Sequence, residues 1–196
     1  MKDNTLNMIT PQRKIIGIAD KFNNPGIKNQ QGTTRVIYDT LPMDGRTDFR
    51  FFEESNNRNF PLTNMGSDGN KLPVGNALAI ERMYLSVVTI VGGNVTVISP
   101  LFNGAHPNFE VGELNILIAN SQVLKQIAVL SQKPTFNKNA GHNEYNNFEF
   151  DTQLVLQPLL EFVFHMRVNT NVAIANTFLR LTVEGVGAII APRATM

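Results

Sequence analysis

The stretch "LQPLLEFVFHMRV", residues 156–168, places Glu161, His165 and Arg167 inside an otherwise apolar run. From residue 160 onward the even positions are Leu, Phe, Phe, Met and Val, whereas the odd positions are Glu, Val, His and Arg. Alternation with a period of two is typical of a strand that has one buried and one exposed face. A helix would instead repeat its apolar residues every three or four positions. The pattern therefore predicts a strand with its charged side chains facing outward.

Other segments of the chain carry the same kind of signal. "NFEFDTQLVLQ" (147–157) and "TFLRLTVEGVGAIIAP" (177–192) alternate, and the second is expected to point its Leu179, Leu181 and Val183 side chains inward. In "VGELNILIAN" (111–120), Leu114, Ile116 and Ile118 are expected to face inward. "TRVIYDTL" (34–41) also alternates, and Asp44-Gly45 after it predicts a hairpin turn into "DFRFFEE" (48–54). Two segments, 76–93 and 121–132, fit either a helix or a strand.

These segments amount to eight to ten predicted strands in roughly 160 residues, with no alternation of strands and helices of the βαβ kind. The expected fold is therefore an all-β, antiparallel β-sandwich. We expect it to occupy residues 34–196 as one domain, preceded by an extended N-terminal arm, residues 1–33. The long polar segment 55–75 is rich in Asn, Gly and Pro, and is expected to be either an interaction surface or a packed loop.

The charge of the chain is low and unevenly distributed. Charged residues make up 17% of the sequence, and such a surface suits a protein that packs against copies of itself. Residues 1–36 contain six basic and two acidic groups, a balance of +4, so the remainder carries −3 of the net +1. A basic arm can bind nucleic acid, anionic lipid or an acidic neighbour, or it can be a solvated, partly ordered terminus.

Other classes of protein are disfavoured by what the sequence lacks. There are no cysteines, which excludes disulfides, zinc–thiolate sites and a cysteine nucleophile. No stretch resembles a signal peptide or a membrane span, so we expect synthesis in a cytoplasm without an export signal. Asn94, in the glycosylation motif "NVT", is then expected not to be glycosylated.

The candidate catalytic and metal-binding residues do not form a recognisable site. His106, His142 and His165 are spread along the chain, and the nearest approach to a metal motif is His142 with Glu144. Glu161 and Arg167 share a strand face but lie roughly 20 Å apart, too far for one catalytic pair. We therefore interpret Glu161, His165 and Arg167 as a polar outer face, with His165 able to join a cross-strand ion-pair row. The expectation is a protein that is not an enzyme, with no catalytic, cofactor-binding or metal-binding residues.

A resemblance adds to this interpretation. The chain has "PLTN" (61–64) and "KLPVG" (71–75) before a long strand, and "QPLLEFVF" (157–164) before a closing pair of strands that ends in "RLTVEGV" (180–186). Most of residues 34–190 resemble the jelly-roll capsid proteins of tailless icosahedral bacteriophages, including those with an internal membrane. The resemblance lies in the kind of segments and in their order along the chain. The double-barrel coat proteins of several such phages are longer, whereas 196 residues fit a single jelly roll.

The resemblance implies a single jelly roll of eight strands in two facing sheets and a structural role in the virion. The implied partners are other copies of the chain, in a trimeric or pseudo-hexameric capsomer, and other capsid proteins. The basic N-terminal arm would reach a neighbouring subunit, the genome or an internal membrane. Whether the subunit is the major coat protein, a minor one or a penton stays open. The alternative function is a receptor- or carbohydrate-binding β-sandwich module of a virion spike, and a β-sandwich enzyme is the third class.

Overall fold

The computed structural model describes most of the chain from residue 31 onward, so the predicted arm lies outside it up to residue 30. The described ranges are 31–53, 58–66, 69–100, 112–128, 135–137, 142–144, 148–169 and 175–189. The strands are β1 (Gln31–Pro42), β2 (Asp48–Phe51), β3 (Ala77–Val91), β4 (Asn94–Pro100), β5 (Glu113–Ile118), β6 (Ser121–Ala128), β7 (Thr135–Asn137), β8 (His142–Glu144), β9 (Phe148–Leu156), β10 (Phe162–Arg167) and β11 (Thr177–Ile189). No helix able to cross a membrane occurs in the described part of the chain. The predicted all-β class is confirmed.

The strands form two larger antiparallel sheets and one small hairpin. In the first sheet the order is β1-β11-β3-β4, and β9 also pairs with β3. β3 is long enough for two partners on one edge, because residues 78–83 pair with β9 and residues 86–91 pair with β4. In the second sheet the order is β2-β10-β5-β6, while β7 and β8 pair with each other. The described chain has eleven strands, against the eight to ten that the sequence pattern predicts.

The two larger sheets share one hydrophobic core. Leu85 and Leu181 of the first sheet belong to the same buried cluster as Phe51, Ile116 and Phe164 of the second. Each large side chain that is fully removed from water contributes about 1.5–3 kcal/mol, so this shared cluster is the main force that holds the sheets together. Two antiparallel sheets around one core are consistent with the predicted β-sandwich.

The period of two predicts correctly which side chains face this core. Along β10, Phe162, Phe164 and Met166 are buried, whereas Val163 and His165 are only partly buried. β5 alternates in the same way, with a burial pattern in which every second side chain is buried. The other predicted inward residues that are buried are Leu114, Ile116, Ile118, Leu179, Leu181 and Val183.

Two other predictions are resolved by the sheet topology. The two ambiguous segments are strands, β3 and β6. The hairpin predicted at Asp44-Gly45 is wrong, because β1 belongs to the first sheet and β2 to the second. Gly45 does have the positive φ, 90°, that a tight turn requires, but this turn carries the chain from one sheet to the other. The turn therefore crosses the sandwich instead of closing a ladder.

The loop after β2 packs onto the edge of β1 along its described residues. Thr63 forms an isolated bridge with Asp39. The Asn64 side chain accepts a hydrogen bond from the Tyr38 amide at 2.8 Å and donates one to the Val36 carbonyl at 2.8 Å. An edge strand exposes unpaired backbone groups that invite pairing with other chains, and this loop satisfies them along part of β1. Of the two roles expected for residues 55–75, an interaction surface or a packed loop, the described residues show packing against β1.

The buried carboxylate of Asp39 also holds this loop in place. Asp39 is 1% exposed and accepts hydrogen bonds from the amides of Phe52, at 2.6 Å, and Thr40, at 2.9 Å. It also accepts from Arg58, through Nε at 3.1 Å and through Nη2. A buried charge is tolerated when it is paired and hydrogen-bonded in this way. Asp39 thus ties together β1, the end of β2 and the following loop.

Replacing Asp39 by Asn should lower the free energy of unfolding by about 1.5–3 kcal/mol, the range for hydrogen bonds to a charged group. The amide keeps one acceptor oxygen but leaves the Arg58 guanidinium without its counter-ion. Urea unfolding followed by circular dichroism measures the change. The matched control is Asp44→Asn, since Asp44 is an exposed carboxylate paired with Arg46 and should lose less than about 1 kcal/mol. Equal losses in the two variants would contradict the structural role of Asp39.

Candidate functional site

The outer face of the second sheet carries His165 and Arg167, and Glu161 directly precedes β10. β10 lies between β2 and β5, so its outward side chains have neighbours on both sides. Arg167 stands opposite Asp48 of β2 and Glu113 of β5 in the strand register. Opposite charges on neighbouring strands stabilise a sheet by a few tenths to about 1 kcal/mol for each pair. This row alternates acid, base and acid across the sheet.

His165 occupies the next outward position of β10. It stands opposite Arg50 and Asn115, and its Nε2 lies 2.8 Å from the Oδ1 of Asp48. The His165 side chain is only 12% exposed, whereas the Asp48 side chain is 47% exposed. His165 thus contacts the charged cross-strand row through the Asp48 carboxylate.

Glu161 does not join this row. It precedes β10, and its Oε1 lies 3.1 Å from the Nζ of Lys71 in the loop before β3. The Glu161 carbonyl accepts a hydrogen bond from the amide of Ala119, at 2.8 Å, in the turn between β5 and β6. Glu161 therefore links three connections at one end of the sandwich. Its ion-pair partner is thus Lys71, which lies outside the charged row.

Only part of the predicted histidine set can be located. His106 lies outside the described residues, and so do the side chains of His142 and Glu144, although both belong to β8. His165 is paired with Asp48. Among the described residues no three His, Cys, Asp or Glu side chains are grouped so that they could hold a metal ion.

Beside the charged row lies a groove that the sequence did not reveal. Its volume is about 140 Å³, and it combines an apolar floor with a polar rim. The floor consists of Leu117, Phe162 and Val163, and the rim consists of Arg50, Asn120, Glu161 and His165. Apolar surface with a few convergent polar groups is the usual composition of a binding site. We call this feature the groove.

The rim of the groove is shaped by the turn between β5 and β6. Ala119 and Asn120 have φ values of 49° and 62°, the backbone of a two-residue hairpin turn. Asn adopts this left-handed conformation more readily than most residues, so the "AN" dipeptide was a weak sequence signal for the turn. Nothing in the sequence indicated that this turn, β2 and β10 would line one depression, since they come from distant parts of the chain.

The outer face of the first sheet carries a second polar cluster. The Arg180 guanidinium lies over the Tyr38 ring, 4.4 Å from its centroid. It also donates hydrogen bonds to Thr40 Oγ1, at 3.0 Å, and to the carbonyl of Pro61, at 2.9 Å. Burial lowers the pKa of Arg180 from its ordinary value, because the charged form loses solvation. These contacts fix the loop around Pro61 on the outside of the first sheet.

Comparison with known proteins adds no relative to this description. No protein-family model matches the chain, and neither does any curated protein.

Proposed function

We propose that the protein is a viral structural protein, a capsid subunit of the major coat or penton type that assembles into an icosahedral shell. The proposal includes a finer fold assignment, namely that the sandwich is a single jelly roll. The observation that carries it is the order in which the strands pair. The resemblance of residues 34–190 to phage coat proteins points the same way.

The pairing order supports a jelly roll as follows. Eight strands form the proposed framework, in chain order β1, β2, β3, β5, β6, β9, β10 and β11. The first pairs with the last, the second with the seventh, the third with the sixth and the fourth with the fifth, always antiparallel. This is the pairing of one long hairpin, in which the first four strands run along one arm and the last four return along the other. When this hairpin is rolled up, β3 also pairs with β11 and β5 also pairs with β10, and these contacts join the four strand pairs into two sheets.

Jelly rolls recur in viral capsid and lectin domains, and shell building suits the present molecule for physical reasons. Fold alone does not fix function, and the surface of the molecule gives a second, independent support. Among the residues that the structure describes, five large apolar side chains outside the core are more than 40% exposed: Phe60, Val74, Val91, Val123 and Leu159. Apolar side chains in contact with water favour burial against a partner. A subunit with several such contacts can hold a shell, because each contact adds buried area.

Assembly of the purified full-length chain tests the proposal. We expect closed particles in electron micrographs and a large mass by light scattering, because repeated copies would bury these surfaces. The matched variant lacks residues 1–30, which leaves all of β1 in place, and should stay folded but fail to assemble if the basic arm contacts neighbours, genome or membrane.

Two results would contradict this picture at different levels. A full-length chain that stays monomeric at high concentration, and that binds defined carbohydrates on a glycan array, would favour the spike-module alternative. Normal particles from the truncated chain would leave the capsid proposal intact but remove the role of the arm.

A further inference from the structure

Phe60 is the most exposed large apolar side chain among the described residues, at 83%. Its loop is nevertheless well fixed: the Asn59 carbonyl accepts a hydrogen bond from the Leu62 amide at 2.8 Å, and the Pro61 carbonyl accepts one from Arg180. A phenyl ring on a fixed loop loses little conformational freedom when it binds. Such a ring is therefore suited to act as an anchor in a contact.

The groove on the second sheet has the chemistry that a phenyl ring requires. Leu117 and Val163 offer an apolar floor, and Arg50 lies on the rim. A guanidinium is attracted to the negative face of an aromatic ring, and it can stack through its plane while its edge keeps hydrogen bonds. Arg50 already uses its edge in this way, with Nη1 3.0 Å from Oε1 of Glu53. Leu117, Val163 and the Arg50 guanidinium thus suit the face of a phenyl ring, while the Glu161 carboxylate on the rim is paired with Lys71.

Within one molecule the two features do not meet, because the Phe60 ring is 83% exposed and is not among the residues that line the groove. The Phe60 loop packs along the edge of β1 in the first sheet, where Thr63 bridges Asp39. The groove lies on the outer face of the second sheet. We propose that Phe60 of one copy inserts into the groove of a second copy of this chain. The inference rests on the proposed assembly function and names one contact of it.

The contact has a defined symmetry. Two different patches meet, so it is heterologous, and repeating it gives a closed ring if the rotation closes and an open filament if it does not. Rings of this kind would be the capsomers of the proposed shell.

Replacing Phe60 by Ser should weaken self-association by roughly tenfold or more, because truncating a buried aromatic anchor commonly costs more than about 1.4 kcal/mol. Analytical ultracentrifugation of the full-length chain over a concentration series measures it. The thermal unfolding of dilute Phe60→Ser should be unchanged, since the ring is exposed. The control is Asn94→Ala, which changes an exposed polar side chain outside the set of exposed apolar residues and should leave association unchanged.

Cross-linking locates the contact directly, since the chain has no cysteine of its own. Asn59→Cys places a thiol beside Phe60, and Glu161→Cys places one on the rim of the groove. A mixture of the two variants with a short bismaleimide should give a cross-linked dimer containing one chain of each kind. Asn59→Cys mixed with Asn94→Cys, an exposed position on the hairpin between β3 and β4, should give none.

The outcomes separate this inference from the proposed function. If the wild-type chain assembles, but Phe60→Ser assembles equally well and Asn59→Cys does not cross-link to Glu161→Cys, the contact is wrong and the capsid function stands. If the wild-type chain is monomeric at every concentration, both fail. Weakened assembly of Phe60→Ser, with cross-linking confined to the mixture of Asn59→Cys and Glu161→Cys, supports the contact.

Discussion

Replacing Phe164 by Ala lowers the free energy of unfolding by about 3–5 kcal/mol, the usual cost of truncating a buried Phe. Phe164 is 0% exposed and packs against other buried aromatic rings. Its ring centroid is 5.5 Å from that of Phe52 and 6.3 Å from that of Phe162, both in edge-to-face geometry. Truncation therefore removes the buried area, leaves a cavity and loses two aromatic contacts.

Guanidinium unfolding of the dilute protein measures this effect, with the midpoint and the slope both recorded. Phe60→Ala is the matched control, because it removes the same ring from an exposed position and should change stability by less than about 0.5 kcal/mol. A loss below about 1 kcal/mol for Phe164→Ala would show that β10 presents the opposite face to the core.

Gly185→Ala should be at least as damaging, with a loss of about 3 kcal/mol or more, or a chain that does not fold. Gly185 lies in β11 at the irregularity where the register with β3 shifts. A Cβ at this position would lie 1.9 Å from the carbonyl oxygen of Ala79 and 2.9 Å from the amide nitrogen of Glu81. Both are backbone atoms of a paired strand, so no side-chain rotation relieves the overlap.

The control for Gly185 is Gly69→Ala, where the nearest atom to an added Cβ is the Glu53 carbonyl oxygen at an ordinary 3.9 Å. This variant should unfold at the wild-type denaturant midpoint, within the few tenths of a kcal/mol expected of a tolerated surface change. Folding yield and thermal unfolding of the two alanine variants decide the matter. A stable Gly185→Ala protein would mean that β11 and β3 are farther apart than the structure has them.

The faces of several strands could be predicted because one side of each meets the core and the other is more accessible. In β10 every second side chain is buried, so the sequence alternates between apolar and more polar residues. β3 lacks it: residues 77–80 are buried without interruption, so no alternation marks them as a strand. Its helix-or-strand ambiguity thus arose from burial on both faces.

Local signals were informative about backbone shape and silent about partners. The Asp44-Gly45 turn does form, but β1 pairs with β11, at the other end of the described chain, and no neighbouring residue encodes that choice. The groove has the same origin, since Arg50, Asn120 and Val163 lie far apart in sequence. Strands that are distant in the sequence pair to form both the fold and the groove. Periodicity, which is a local signal, therefore predicted the fold only in part and did not predict the groove.

The position of β11 has a consequence for biosynthesis. β11 lies between β1 and β3, so it is an interior strand of the first sheet although it is the last described strand in the chain. On the ribosome, β1 and β3 emerge long before the segment that joins them, and each waits with an unpaired edge. A nascent chain therefore cannot complete the first sheet, or the half of the hydrophobic core that this sheet covers, until residue 189 has been translated.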